Sequence, residues 1–236
     1  MKRFFAVCAA LAVLFVALYA VVLHPLSKDE TYQVFGTLIS RVETQDRVVA
    51  LTFDDGPSPR HTGTVLEILA EQNATVTFFL TGHEVERRPD LAREIVEAAH
   101  DLANHPFSHN RLILKRPSTI RWELDATDAL LRNAGFEDDL QFRAPYGQKL
   151  FSLPWVLDQQ DRPNIMWDVE AGSEDLTPEE MAEAIVEAAG PGSIILMHVM
   201  YDSRETSRAA LPLVIQGLRA KGFELIGLND LLARAP

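Results

Sequence analysis

Apolar positions along the chain follow two different periods. Short runs rich in β-branched and aromatic residues predict strands. These runs cover 47–55, 74–81, 141–146, 164–168, 193–198 and 223–227. Between them, apolar residues recur at helical spacing. The predicted helices cover 62–73, 90–100, 118–134, 177–190 and 204–221, with a short helix near Trp155.

Several of the predicted strands are apolar on both faces, and they alternate with the helices. This pattern indicates a parallel sheet covered by helices, that is, an α/β fold. A closed barrel and an open doubly wound sheet are both consistent with it. Helix-start signals support the assignment, since Thr177, Pro178 and Glu180 form a capping-box pattern and Ser118 is an expected N-cap.

The N-terminus has the pattern of a membrane anchor. Lys2 and Arg3 precede an uncharged run over 4–23, long enough to cross a hydrocarbon core of about 30 Å. The best cleavage site, Leu18-Tyr19-Ala20, has a bulky residue where a small one is expected. We therefore predict a transmembrane segment over 1–24, a tether over 25–45 and one domain over 46–236. The positive N-terminal flank stays in the cytoplasm, so the domain faces outward; a cleaved, secreted form is the alternative.

Composition narrows the class of partner. The 236 residues carry a formal net charge of −12, which argues against nucleic acid and suits a neutral or cationic substrate. The single cysteine, Cys8, excludes an intramolecular disulfide. The oligomeric state is not indicated by the sequence.

The residues most able to do chemistry follow the predicted strands. In either architecture, functional groups gather at the carboxyl ends of the strands. The residues in such positions are Asp54, Asp55, Arg143, Tyr146, Asp168, Glu170 and His198. A further pair, His105 and His109, follows the short segment 101–104. We expect them on one face of the domain.

His105 and His109 lie four residues apart, and Pro106 suits the first turn of a helix. On one helix face they would form a metal-ligand pair, and a carboxylate from another strand end would complete a catalytic zinc site. Chance histidines on a surface helix are the alternative. Of the adjacent Asp54 and Asp55, one can ligate a metal while the other accepts a proton; a turn-forming role is the alternative.

Five segments, in order, resemble the motifs of the polysaccharide deacetylases, the NodB-like chitooligosaccharide deacetylase family (carbohydrate esterase family 4). Residues 52–57, Thr-Phe-Asp-Asp-Gly-Pro, resemble its first motif. Residues 105–109 resemble its metal-binding histidine motif, 143–146 its third, 167–170 part of its fourth and 196–198 its fifth. The resemblance covers about 47–232.

The resemblance implies a distorted (β/α) barrel that holds a divalent metal, most often Zn²⁺, with Co²⁺, Mn²⁺ or Ni²⁺ as alternatives. By the same resemblance Asp55, His105 and His109 ligate the metal, Asp54 is the general base, Arg143 holds Asp54, the Tyr146 backbone N–H donates to the oxyanion, Leu196 lines the acetyl pocket, His198 is the general acid, and Glu170 pairs with His198. Asp168 is the alternative partner of His198.

The sequence departs from the family pattern in two places. Pro106 stands where the family has Ser or Thr, and we expect metal binding to be unaffected. Ser173 and Glu174 stand where the fourth motif has Asp and Trp, so we expect an altered pocket wall.

The implied activity is removal of N-acetyl groups from N-acetylglucosamine-containing glycans such as peptidoglycan, chitin-like oligomers or an exopolysaccharide. A deformylase or deacetylase of a lipid-linked amino sugar, and an inactive carbohydrate-binding protein, are the alternatives.

Overall fold

The computed structural model describes residues 4–5, 11, 13–14, 16–17, 19–170 and 172–235. The strands are β1 (Leu38–Ile39), β2 (Val48–Asp54), β3 (Thr77–Thr81), β4 (Asp101–His105), β5 (Asn164–Ile165), β6 (Val169–Glu170), β7 (Ile194–His198) and β8 (Glu224–Leu225). The helices are α1 (His24–Lys28), α2 (Thr62–Glu71), α3 (Gly82–Arg87), α4 (Pro89–Glu97), α5 (Pro117–Asn133), α6 (Ser152–Asp158), α7 (Pro178–Ala188), α8 (Glu205–Ala220) and α9 (Leu228–Leu232). A π-helical turn covers Tyr19–Leu23, and a 3₁₀ turn covers Pro145–Gly147.

The strand pairings run around the fold and leave one gap, between β5 and β6. β2 pairs in parallel with β3 and β7, and β3 pairs with β4. Phe142 bridges β4 to β5 through single parallel contacts with Asn104 and Asn164. The chain then runs from β5 into β6, which pairs with β7. The predicted parallel α/β fold is confirmed. The strands surround a second apolar core, which includes Ala50, Phe79 and Ala103, in an incomplete ring, the barrel, in which no pairing joins β5 to β6 among the described residues.

β2 shows why the sequence folds this way. All its residues are buried, and alternate side chains point to opposite faces. Val49, Leu51 and Phe53 pack in the layer between sheet and helices, with Val65 and Leu69 of α2. Ala50 points into the barrel interior, so Thr52 and Asp54 share the interior face. The alternation of side chains along β2 therefore places Asp54 at the open end of the barrel interior.

Several predicted elements need correction. Residues 101–105 form β4, so the first histidine ends a strand and does not begin a helix. In the segment predicted as strand 141–146, only Phe142 makes bridges, because the 3₁₀ turn follows at once. Residues 164–168 contain only the short β5, and the pairing with β7 begins at Val169. Ser118 is not an N-cap, since α5 begins at Pro117.

Part of the predicted tether is built into the fold. Leu38 and Ile39 pair with Asn164 and Ile165, and Val42 is buried. Nearer the N-terminus, the Ser27 carbonyl accepts a hydrogen bond from the Lys149 backbone N–H at 2.8 Å. Within the described residues, no helix has both the length and the apolar character needed to cross a bilayer. The predicted anchor falls partly on residues outside that set (1–3, 6–10, 12, 15 and 18), so it stays a prediction.

The capping box at Thr177 is confirmed, and it yields a stability prediction. The Thr177 hydroxyl accepts from the Glu180 N–H at 3.2 Å, and the Glu180 carboxylate accepts from the Thr177 N–H at 2.8 Å. Replacing Thr177 by Ala should cost about 1 kcal/mol of unfolding free energy, which lowers Tm by about 2–4 °C for a domain of this size. Thermal unfolding followed by circular dichroism measures this.

Thr64→Ala is the matched control, because Thr64 lies exposed inside α2. Equal losses of Tm in the two variants would show that the capping box contributes nothing.

Candidate active site

Two adjacent carboxylates leave β2 in different directions. Asp54 is the last residue of β2 and its side chain points into the barrel interior. Asp55 has a positive φ of 74°, and Gly56 follows with φ of 81°. This sharp turn lets neighbouring residues present both carboxylates to one cavity, which an extended strand could not do.

The two histidines converge through a strand end and a tight turn. His105 closes β4, and the His109 N–H donates to the Pro106 carbonyl at 3.1 Å. The Glu123 carboxylate on α5 fixes this turn by accepting from the Ser108 N–H at 2.8 Å and from its hydroxyl at 2.6 Å. His109 has a positive φ of 54°, so the turn is not helical. The predicted pairing of the imidazoles is therefore met, but the predicted helix is wrong.

Asp55, His105 and His109 fit a divalent cation. One ligand atom from each lies within 4.8 Å of the others. The Asp55 Oδ1 atom is buried without a hydrogen-bond partner and lies 3.3 Å from His109 Nε2. An oxygen left unsatisfied in this way is costly unless something binds it. An Asp-His-His set with room beside it is the donor chemistry of catalytic zinc.

The protonation of the imidazoles supports the same interpretation. The His105 Nδ1–H donates to the Arg143 carbonyl at 2.9 Å, which leaves the Nε2 lone pair directed toward the cavity. Burial lowers the pKa of His105 to about 4 and also lowers the pKa of His109. Both rings are therefore neutral near pH 7, as metal ligands must be.

The pKa of Asp55 is raised to about 6, first by burial and then by the neighbouring charge of Asp54. Two carboxylates this close repel each other unless positive charge is supplied between them. A bound cation would supply it.

Arg143 holds Asp54 in a fully buried ion pair. Its Nη1 donates to Asp54 Oδ1 at 2.6 Å and to Thr52 Oγ1 at 2.9 Å. Burial alone would raise the pKa of Asp54, but Arg143, His105 and His198 bring it below its ordinary value. Asp54 therefore stays ionised, and Arg143 occupies one of its two oxygens. The other oxygen, Oδ2, lies 3.8 Å from His105 Nε2.

These groups open into a cavity of about 620 Å³. β7 supplies its other wall: Leu196 and His198 are two residues apart on one face, and His198 is level with Asp54 in the sheet register. Tyr146 sits in the 3₁₀ turn with φ of 60°, and its ring packs on His109 at 4.9 Å between centroids. Of the predicted site residues, all but Asp168 line this cavity or, in the case of Arg143, support it from below.

Asp168 is excluded as the partner of His198. Its carboxylate accepts from the Ser193 hydroxyl and from the Ile194 N–H, each at 2.9 Å, at the start of β7. His198 lies at the other end of that strand. Glu170 lines the cavity together with His198, and burial and then Asp54 raise its pKa. Within the described residues, no ion pair of 4.0 Å or less joins Glu170 to His198.

Glu174 does not take the place of a pocket tryptophan. Its carboxylate accepts from the Ser207 hydroxyl and lies 3.7 Å from Arg204 Nη1, at the start of α8. It is absent from the described residues that line the cavity. The predicted change in the pocket wall at this position stays a prediction.

Sequence reasoning missed several lining residues: Lys28, Glu30, Arg111, Gln148, Tyr201 and Arg204. Tyr201 and Arg204 follow the strand end at His198, so the sequence could have indicated them as cavity residues. Lys28, Glu30 and Arg111 come from segments with no strand end, so the pattern of strands could not indicate them.

The family model for polysaccharide deacetylases matches residues 41–160. The chain belongs to the polysaccharide deacetylase family. It is 31% identical to a chitooligosaccharide deacetylase of Azorhizobium caulinodans, over 79% of this chain and 95% of the relative. It is 27% identical to a peptidoglycan-N-acetylglucosamine deacetylase of Bacillus cereus, over 84% of this chain and 93% of that protein.

A solved structure agrees with the fold. A peptidoglycan N-acetylglucosamine deacetylase in complex with an N-hydroxybenzamide superimposes with a TM-score of 0.76 at 27% identity, over 83% of this chain and 92% of that one. This chain thus has the deacetylase-type α/β fold. The enzymes of the family are hydrolases of N-acetyl amides.

The geometry predicts one strong metal site. Protein stripped with chelator and titrated with ZnCl₂ should bind one Zn²⁺ per chain in calorimetry. His105→Gln and His109→Gln should each weaken binding by about a hundredfold or more, since even losing a ligand's hydrogen-bond partner costs 10- to 100-fold.

His61→Gln is the control, because the His61 imidazole bonds to Asp202 outside the cavity. Unchanged zinc affinity in both ligand variants would contradict the assigned site.

Proposed function

We propose that this protein is a metal-dependent N-deacetylase that removes acetyl groups from N-acetylglucosamine units of a glycan outside the cytoplasm. The observation that carries the proposal is the convergence of four groups in one cavity. Asp55, His105 and His109 form the ligand set, and Asp54 stands beside them, ionised and held by Arg143.

Amide hydrolysis needs an activated water, a stabilised oxyanion and a protonated leaving amine. A divalent cation bound to the ligand set, proposed to be Zn²⁺ with Co²⁺, Mn²⁺ or Ni²⁺ as alternatives, supplies Lewis-acid polarisation and a more acidic water. Asp54 takes the proton from the attacking water. It can do so because Arg143 keeps it ionised and leaves Oδ2 free of the ion pair.

Residues of the cavity wall would stabilise the oxyanion, contact the acetyl group and protonate the leaving nitrogen. The Tyr146 N–H would donate to the developing oxyanion, an interaction worth about 3 kcal/mol where it has been measured. Leu196, buried beside His198, would contact the acetyl methyl group. His198 would protonate the nitrogen as the C–N bond breaks, and Glu170, which lines the same cavity, is its proposed carboxylate partner. Water adds across the bond, and the products are acetate and a free amino sugar.

The relatives support a glycan substrate, since they are named for peptidoglycan and for chitooligosaccharides. The extracytoplasmic location rests on the predicted anchor and on the cell-wall substrate of the Bacillus cereus relative. The ligand residues and Asp54 are all present, which argues against an inactive carbohydrate-binding protein.

A lipid-linked amino sugar is the second candidate substrate, and one observation favours it. Lys28 and Glu30, directly after the predicted anchor, line the catalytic cavity. If the anchor is in a bilayer, the cavity would open close to the membrane surface. Formate or acetate released from a lipid-linked sugar, with none from chitooligosaccharides or peptidoglycan, would select this candidate.

Asp54→Asn tests the general base. The variant should release acetate from tetra-N-acetylchitotetraose at least about 10²-fold more slowly, the lower end of what acid–base catalysis contributes. Zinc binding should persist, because Asp54 is not in the ligand set.

Asp202→Asn, an exposed carboxylate outside the cavity, is the matched control. Since removing the Asp54 charge leaves Arg143 unpaired, Tm is measured alongside. A folded, zinc-loaded Asp54→Asn protein with wild-type activity would refute the proposed role.

Arg143→Gln tests how the base is tuned. Without the guanidinium, burial would lose its largest opposing interaction, and the pKa of Asp54 would rise. The acid side of the kcat/KM profile should then shift to higher pH, by about one unit or more. Arg143→Lys keeps a positive charge and should shift it less. Breaking a buried pair costs about 3–5 kcal/mol, so both variants are assayed at low temperature. If the acid side of the kcat/KM profile falls at the same pH in the wild type, Arg143→Gln and Arg143→Lys, the account is contradicted.

A further inference from the structure

Arg111 is an arginine fixed at the mouth of the catalytic cavity. It follows the His105–His109 turn by two residues and lines the cavity. Its guanidinium carbon lies 4.1 Å from the centre of the Tyr146 ring. The Tyr146 ring in turn packs on His109. Imidazole, phenol and guanidinium thus form a continuous stack that leads outward from the ligand set.

A hydrogen bond fixes the orientation of this guanidinium. Arg111 Nε donates to the Gln148 amide oxygen at 2.9 Å, and Gln148 is buried. A flexible surface arginine loses side-chain entropy when it binds a ligand. Arg111 has already lost much of it, because the stack and the amide hold it in place.

The outer edge of the guanidinium is free. Among the described residues, its two terminal NH₂ groups make no hydrogen bond, and no carboxylate lies within 4.0 Å. Lys28 lines the same cavity and likewise has no ion pair among the described residues, but no hydrogen bond or aromatic ring holds its side chain in place there. Two further charged groups of the cavity are paired. Asp54 is paired with Arg143, and Arg204 lies near Glu174.

Two further carboxylates belong to the cavity. Glu30 and Glu170 both line the cavity, and burial and then the charge of Glu170 raise the pKa of Glu30. Arg111 is instead attached to the wall formed by Tyr146 and Gln148.

A fixed guanidinium with a free edge binds planar or tetrahedral anions through paired N–H donors. We propose that Arg111 is a specificity-determining residue that binds an anionic substituent, carboxylate or phosphate, on the sugar that carries the reacting acetamido group or on its neighbour. This rests on the proposed function. It also runs against the net charge of −12, which by itself favours a neutral or cationic substrate.

Three substrates test it on the zinc-loaded full chain. Tetra-N-acetylchitotetraose is neutral. A peptide-free oligomer of N-acetylglucosamine and N-acetylmuramic acid carries carboxylates, and UDP-N-acetylglucosamine carries a diphosphate. Arg111→Gln should raise KM about tenfold for an anionic substrate, the effect of one charge-assisted contact, with kcat little changed. KM for the neutral substrate should stay as in the wild type.

Two further variants make the comparison specific. Arg121 also lies over an exposed aromatic ring, that of Trp155 at 5.4 Å, but outside the cavity, so Arg121→Gln is the matched control. Arg111→Lys keeps the charge and loses the paired donors, so it should restore only part of the anion preference. The preference should also weaken as salt is added.

The outcomes distinguish carboxylate binding from phosphate binding, and failure of the Arg111 proposal from failure of the proposed function. A KM effect confined to the muramic oligomer identifies a carboxylate, and one confined to the nucleotide sugar identifies a phosphate. Equal effects of Arg111→Gln on all three substrates, or none, overturn the role of Arg111. If no substrate releases acetate, the proposed function fails. The affinity of the same compounds for the wild type and for Arg111→Gln, measured by calorimetry, then decides whether Arg111 binds the anion.

Discussion

The buried Arg143–Asp54 ion pair is the interaction on which both the fold and the site depend. The guanidinium is fully buried inside the barrel, over the ring of Phe79 at 4.0 Å. It donates to Asp54 and Thr52 on β2 and to the carbonyls of Ile165 and Met166. A buried charge is costly unless its hydrogen bonds are satisfied. Here every donor nitrogen has a partner.

The backbone of the same residue also strengthens the barrel wall between β4 and β5, where strand pairing is sparse. Between β4 and β5 only Phe142 makes bridges, and the adjacent Arg143 N–H donates to the Asn104 carbonyl at 3.0 Å. The Arg143 carbonyl then accepts from His105 Nδ1 and fixes that imidazole. One residue thus links the barrel wall, the candidate base and a candidate metal ligand, so a change at Arg143 would act on all three.

Most of the fold could be predicted from the sequence because β2, β3 and β7 are apolar runs in which burial dictates the pattern. The bounds of β5 and β6 were wrongly predicted because the backbone between them is irregular. In such a segment, apolar residues follow no regular period. Most site residues could be predicted from strand ends. His105 and His109 could be predicted only from their spacing and from the family motifs, because β4 was not among the predicted strands. Their local geometry could not: the helix expected between His105 and His109 is a turn, which Glu123 on the following helix α5 holds through Ser108. Arg111 was missed because its position depends on tertiary stacking with Tyr146.

The most direct test of the account is a crystal structure of the zinc-loaded protein with anomalous diffraction recorded at the zinc edge. The account predicts one strong peak at about 2.0–2.2 Å from an Asp55 oxygen, His105 Nε2 and His109 Nε2. It also predicts that Asp54 stays bonded to Arg143 and does not ligate the metal. A peak coordinated by Asp54, or a zinc ion held elsewhere with these three side chains left empty, would contradict it.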